Sequence, residues 1–218
     1  MLSAQNAAPT ETPLFVTTEP FAGMDDRLFP LGWSADGKFA WVLKPLDEAS
    51  GENRWGVTIQ DMTTNVTTAT AEFIMGEDAA SGIAQVWAKH GQAITALLNK
   101  HGVKRTASAM DHFPLVLGKR RSTVVNVELE VVHGKHADFG YTGVRSFEIF
   151  LGSDRKSAVF QKSYDGFLFP FTVAIVGCFT SPDEKYAAMV ITGCERGWEG
   201  APHPRSIEAF AGFKLDAE

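Results

Sequence analysis

Cysteine is scarce in this chain: 218 residues contain two, Cys178 and Cys194. One disulfide is the most they allow, and their spacing argues against it. If Ser181 to Lys185 forms a tight turn, Cys178 falls opposite Ala188 and Cys194 opposite Thr172. The two sulfurs then sit about six residues, or about 20 Å, apart along the ladder. A disulfide needs Cα atoms within about 7 Å, so two free thiols are expected. Long apolar runs are missing too, none approaching the roughly 20 residues that span a bilayer. Basic residues are outnumbered, 20 against 26 acidic ones for a net charge of −6. Apart from Lys119-Arg120-Arg121 they are scattered, so the clustered phosphate contacts that drive nucleic-acid binding are not supplied.

Reaction motifs are equally lacking: no nucleophile and base pair, phosphate loop, dinucleotide fingerprint or metal-ligand series stands out. The first twenty residues are small and polar, with no basic n-region and no apolar h-region, which excludes an intact signal peptide. That composition fits the start of a mature exported protein whose signal has been removed, and fits an ordinary frayed terminus equally well.

What the sequence does have is a core. Hydrophobic residues make up 44% of it and aromatics 11%, enough to fold without metal or disulfide staples. Two segments resemble each other, Leu31-Gly-Trp-Ser-Ala-Asp-Gly-Lys-Phe-Ala-Trp-Val-Leu43 and Gly177-Cys-Phe-Thr-Ser-Pro-Asp-Glu-Lys-Tyr-Ala-Ala-Met-Val-Ile191. Each reads as strand, tight turn, strand, because Asp bonds nearby backbone and Gly37 is free to take positive φ.

Strands are expected over Arg27 to Trp33, Lys38 to Leu43, Trp55 to Asp61 and Val66 to Ile74. Ile83, Val86, Trp87, His90, Ile94, Leu97, Leu98 and His101 then recur at helical steps, with Gly102 where a C-terminal cap belongs. This predicts one helix, 80–101. Strands resume over Thr123 to Val132, where apolar and polar residues alternate as on a half-wet sheet, and over Val144 to Leu151 and Ala158 to Gln161. Phe169 to Phe179, Tyr186 to Thr192 and Ile207 to Leu215 complete the series, with His133 to Gly143 left as a loop. The organisation expected is a flexible segment, 1–20, followed by a single α+β domain, 21–218. Within that domain lie an N-terminal β-unit 27–75, the helix and a β-rich remainder 113–216. The fold class is predominantly antiparallel β meanders with one long central helix and an internal pseudo-repeat of hairpins.

Trp33-Ser-Ala-Asp-Gly-Lys-Phe-Ala-Trp41 and Thr180-Ser-Pro-Asp-Glu-Lys-Tyr-Ala-Ala188 resemble the blade motif of Tol-associated periplasmic β-propellers, where Ser-Pro-Asp-Gly-Lys precedes an apolar strand. Two copies far apart, with a helix between, do not make the regular four-blade minimum of a propeller. With Glu195-Arg-Gly-Trp-Glu-Gly200 added, the chain is similar to a bacterial family described only as predicted secreted proteins of unknown function. That resemblance implies a secreted or periplasmic location and carries no catalytic residues.

Three groups of residues are candidates for function. The loops 45–54 and 194–205 are long and polar, and Trp55, Trp198, Glu195, Arg196 and Glu199 form a recognition set, since aromatics among Gly and charge are common in binding patches. His133, His136 and Asp138 form the densest group of potential metal ligands, able to hold a divalent ion weakly if the segment is a turn. Cys178, within an apolar strand, reads as an inert core thiol. The expected function is a non-enzymatic binding module with a protein or small-ligand partner and no cofactor. The alternatives are a metal-dependent enzyme at His133, His136 and Asp138, and a structural subunit whose β-edges pair as a homodimer.

Overall fold

Both Ser-x-Asp segments close into the tight turns that their sequences demand. At the first, the Ser34 hydroxyl bonds Asp36 Oδ1 at 2.5 Å and accepts the Lys38 N–H at 2.8 Å, and Lys38 pairs with Asp36. At the second, Ser181 bonds Asp183 Oδ1 at 2.8 Å and accepts the Lys185 N–H at 3.1 Å, and Lys185 pairs with Asp183 at 2.9 Å. The residue before each lysine has positive φ, 90° at Gly37 and 54° at Glu184. The first is free to do so for lack of a Cβ; the second is strained.

The computed structural model describes residues 27–45, 53–75, 82–106, 109–117, 123–152, 158–165, 169–194 and 206–215. The chain divides into two compact units, Met1–Ala109 and Met110–Glu218, where the sequence reading placed one domain over 21–218. Among the described residues the architecture is mostly antiparallel β with one helix.

In the first unit, β1 (Arg27–Ser34), β2 (Lys38–Lys44), β3 (Arg54–Asp61) and β4 (Val66–Ile74) form a meander. Helix α1 (Ile83–Lys100) follows, and β5 (Val103–Arg105) returns to pair with β1, giving the order β4-β3-β2-β1-β5. Ile83, Val86, Trp87, Ile94 and Leu98 of α1 pack on Phe29, Leu31, Val42, Trp55, Val57 and Ile59. These positions recur at three- and four-residue steps on the helix and at alternate positions on the strands, so each element offers one apolar face to the other. Each buried side chain of this kind contributes about 1.5–3 kcal/mol. On the other face of the sheet Trp33, Phe39 and Trp41 are buried, with Phe39 centred 4.8 Å from Trp33 and 5.7 Å from Trp41. The helix is three residues shorter at its start than 80–101, and His101 occupies its C-cap.

The second unit holds β6 (Leu115–Leu117) paired with β7 (Thr123–Val125), then β8 (Val127–Lys135), β9 (Thr142–Leu151) and β10 (Ala158–Ser163) in the order β10-β9-β8. It ends in a meander of β11 (Thr172–Thr180), β12 (Tyr186–Cys194) and β13 (Ser206–Lys214). Its core gathers Val144, Phe147 and Ile149 with Cys178, Met189, Ile191 and Phe213. Separate sheets of five, three, three and two strands are not the four-stranded blades of a propeller.

Three expectations need correction. The single strand over Thr123 to Val132 is two strands, because the chain changes partner at Asn126: β7 pairs with β6 and β8 with β9. Alternation reports which face is wet and not which neighbour is bonded. The loop expected from His133 to Gly143 is shorter, residues 136–141, because both its ends are ladder, with His133 opposite Val144 and Lys135 opposite Thr142. Finally, Cys194 does lie opposite Thr172, but Cys178 faces Met189, one place from Ala188, because the turn closes Ser181 on Tyr186 and not on Lys185; the bulge at Ile175/Gly177 then restores the expected register at Cys194. Neither cysteine is in a disulfide.

Candidate functional site

Shortening of the His133 loop leaves a tight connection, residues 136–141, between β8 and β9. The His136 N–H donates to the Tyr141 carbonyl at 2.7 Å, and the Gly140 N–H donates to the His136 carbonyl at 3.0 Å. The imidazole folds inward to 5% exposure. Its ring centre lies 5.0 Å from Phe139, 5.2 Å from Tyr141 and 5.0 Å from Phe169. The backbone N–H groups of Asp138 and Phe139 donate to Nδ1 at 3.2 and 3.3 Å. An accepting Nδ1 puts the ring proton of a neutral imidazole on Nε2. The lone pair that a metal would need on that nitrogen is therefore engaged in holding the turn.

The segment 169–171 completes the cluster. The Tyr141 hydroxyl donates to the Phe169 carbonyl at 2.9 Å and accepts the Phe169 N–H at 3.2 Å, and Phe171 packs on the Tyr141 ring at 4.8 Å. The Val144 N–H donates to the Pro170 carbonyl at 2.7 Å. A Cβ on Gly143 would stand 2.6 Å from that oxygen and 2.8 Å from the Phe169 ring, so the approach requires glycine. The Arg145 guanidinium lies 5.3 Å from the centre of the Phe169 ring, a cation–π contact. What this framework leaves outside is Phe139, 39% exposed, with Asp138 exposed beside it.

His133, His136 and Asp138 are thus neighbours in sequence without sharing a direction. His133 is exposed on β8, His136 is buried, and Asp138 reaches His136 through its backbone. Among the described residues no group of three or more His, Cys, Asp or Glu side chains is placed to hold a metal ion. Trp55 lies in the core at 1% exposure instead of on the recognition surface expected for it. It packs against Phe29 at 5.8 Å, and its indole N–H donates to Asn53 Oδ1 at 2.9 Å. Its alternation with Val57 and Ile59 on β3, one apolar face of a strand, was the signal for this. Glu195, Arg196, Trp198 and Glu199 lie outside the described residues.

A second polar cluster escaped the sequence reading because its members are 44 and 46 positions apart. Glu208 on β13 has a side chain only 5% exposed. The Lys162 ammonium donates to its Oε2 at 3.1 Å and to its backbone carbonyl at 2.9 Å, and the Tyr164 hydroxyl donates to the same Oε2 at 2.9 Å. Lys162 also lies 4.7 Å over the Tyr164 ring. Oε1 is buried with no hydrogen-bond partner among the described residues. A charged residue within the apolar run Ile207 to Phe213 was the available clue, since a buried carboxylate needs partners. Elsewhere, burial and then the charge of Asp111 push the Cys178 thiol up to about 12, which leaves no thiolate for nucleophilic chemistry near neutral pH.

Comparison with known protein families, curated proteins and solved structures gives no match. The assignment of function therefore rests on the geometry above.

Proposed function

We propose that this protein is an exported, non-enzymatic interaction module that binds a partner protein or a small ligand. The observation that carries the reading is the connection between β8 and β9. Its buried imidazole is used to fix the turn, and the fixed turn displays Phe139 and Asp138 at the surface. An aromatic ring held in place beside a carboxylate loses little conformational freedom on binding, which is the usual character of a binding anchor. The loops 45–54 and 194–205 belong to the same proposal, the second carrying Glu195, Arg196, Trp198 and Glu199. Export rests on the family resemblance. The matching hydrogen bonds of the two Ser-x-Asp turns support reading β1–β3 and β11–β13 as an internal pseudo-repeat.

The test is capture from a bacterial envelope extract with the wild-type protein, F139S and W198A immobilised in parallel, each shown by circular dichroism to be folded. The reading expects a discrete partner retained by the wild type and lost from at least one variant. The same captured set on all three proteins would refute it.

A further inference from the structure

The outer strand of the five-stranded sheet, β4, is nine residues long, Val66-Thr-Thr-Ala-Thr-Ala-Glu-Phe-Ile74, and among the described residues bonds only β3. Its side chains are exposed or half-buried throughout, with Val66 57% and Ile74 54% exposed. Natural sheets protect such an edge with lysine, proline or a strong bulge. This strand has no basic residue and no proline, and its one bulge, at Thr68 opposite Ile59/Gln60, leaves Ala69 to Ile74 regular. Other edges are better guarded: β8 carries Glu128, Glu130, His133 and Lys135, β10 carries Lys162, and β5 is three residues long. The far halves of β11 and β13 are buried.

We infer that β4 pairs antiparallel with β4 of a second copy of this chain, centred on Ala71. In a two-fold pairing of this kind opposite residues must share a face, so the position numbers of each pair sum to an even value. Centring on Glu72 would set the two carboxylates against each other, a destabilising like-charge pair. Centring on Ala71 sets each Glu72 against the Thr70 hydroxyl of the other copy. On the opposite face it sets Ala69 against Phe73, small against large, and Ala71 against itself. The strand is thus complementary to its own reverse. The contact is isologous and closes at two copies, joining the two five-stranded sheets edge to edge.

Sedimentation velocity across a wide concentration range tests this on the full chain. The wild type should move reversibly between a species of 23.7 kDa and one of twice that mass. Two substitutions at the exposed Thr70 then read the register. T70E sets a carboxylate against Glu72 of the other copy and should weaken the dimer; T70K sets an ammonium there and should tighten it. Two symmetric cross-strand pairs of this size change the dissociation constant by about 2- to 30-fold in each direction. A monomer at every concentration, a dimer indifferent to both substitutions, or equal effects of both would each overturn the inference.

Discussion

Replacing His136 separates the two roles that the structure gives it. His136→Phe keeps an aromatic ring among Phe139, Tyr141 and Phe169, whose centres lie 5.0 to 5.2 Å away, and removes the ring nitrogens, the Nδ1 acceptor among them. The Asp138 and Phe139 N–H groups, bonded to it at 3.2 and 3.3 Å, then turn to water. A neutral hydrogen bond contributes about 0.5–1.5 kcal/mol, and these two are long and partly solvated, so the expected loss is about 1–2 kcal/mol. His136→Ala removes the ring as well. The residue is 5% exposed, so the cost approaches that of a buried aromatic truncation, about 3–5 kcal/mol. Urea titrations followed by circular dichroism, compared at equal slope, measure both. The order expected is wild type above H136F above H136A. If H136F matches the wild type, the capping role is wrong; if H136A costs less than about 1 kcal/mol, the ring does not hold the cluster. Native mass spectra of the same three proteins address the metal-dependent alternative, which expects bound metal in the wild type and none in H136A.

Four further predictions follow from local geometry. Gly193→Ala should destabilise by about 1–3 kcal/mol, because its Cβ would overlap the Glu208 carboxylate, and the double variant with Glu208→Ala should recover part of that loss in the same titration. Glu184→Gly should stabilise by up to about 1 kcal/mol, since Glu184 sits at φ 54° where glycine has no steric cost, while Gly37→Ala, at φ 90°, should do the reverse. Hydrogen bonds from Lys38 and Ser34 lower the Asp36 pKa; at Asp183 partial burial opposes the shift, and bonds from Lys185 and Ser181 outweigh it. Folded values below the ordinary 3.8 mean that this stabilisation is complete above the unfolded pKa and fades as pH falls through the folded one. Thermal unfolding of D36N/D183N should therefore show a shallower loss of stability below about pH 4 than the wild type. Finally, iodoacetamide at neutral pH should label the half-exposed Cys194 and spare the buried Cys178 until denaturant is added; equal labelling of both in the native state would contradict the burial.

The local chemistry of this chain was legible in its sequence. Ser, Asp and Lys at fixed offsets specify the two turns because the bonds that close them join residues two to five positions apart. Apolar residues at helical steps fixed α1 to within a few positions, and β-branched and aromatic residues between turn clusters located Val66–Ile74 at the bounds found. The absence of a disulfide followed from strand register, with an error of one residue at Cys178 because composition does not tell whether the turn closes on Lys185 or on Tyr186. Tertiary structure alone decided the rest, since pairing partners and clusters depend on residues far apart in the chain. That is why β7 and β8 read as one strand, why His136 looked like a ligand when Phe169 and Tyr141 enclose it, and why Glu208, Lys162 and Tyr164 went unnoticed. Local bonds are written in neighbouring letters, whereas burial is a property of whatever the completed fold lays over a residue.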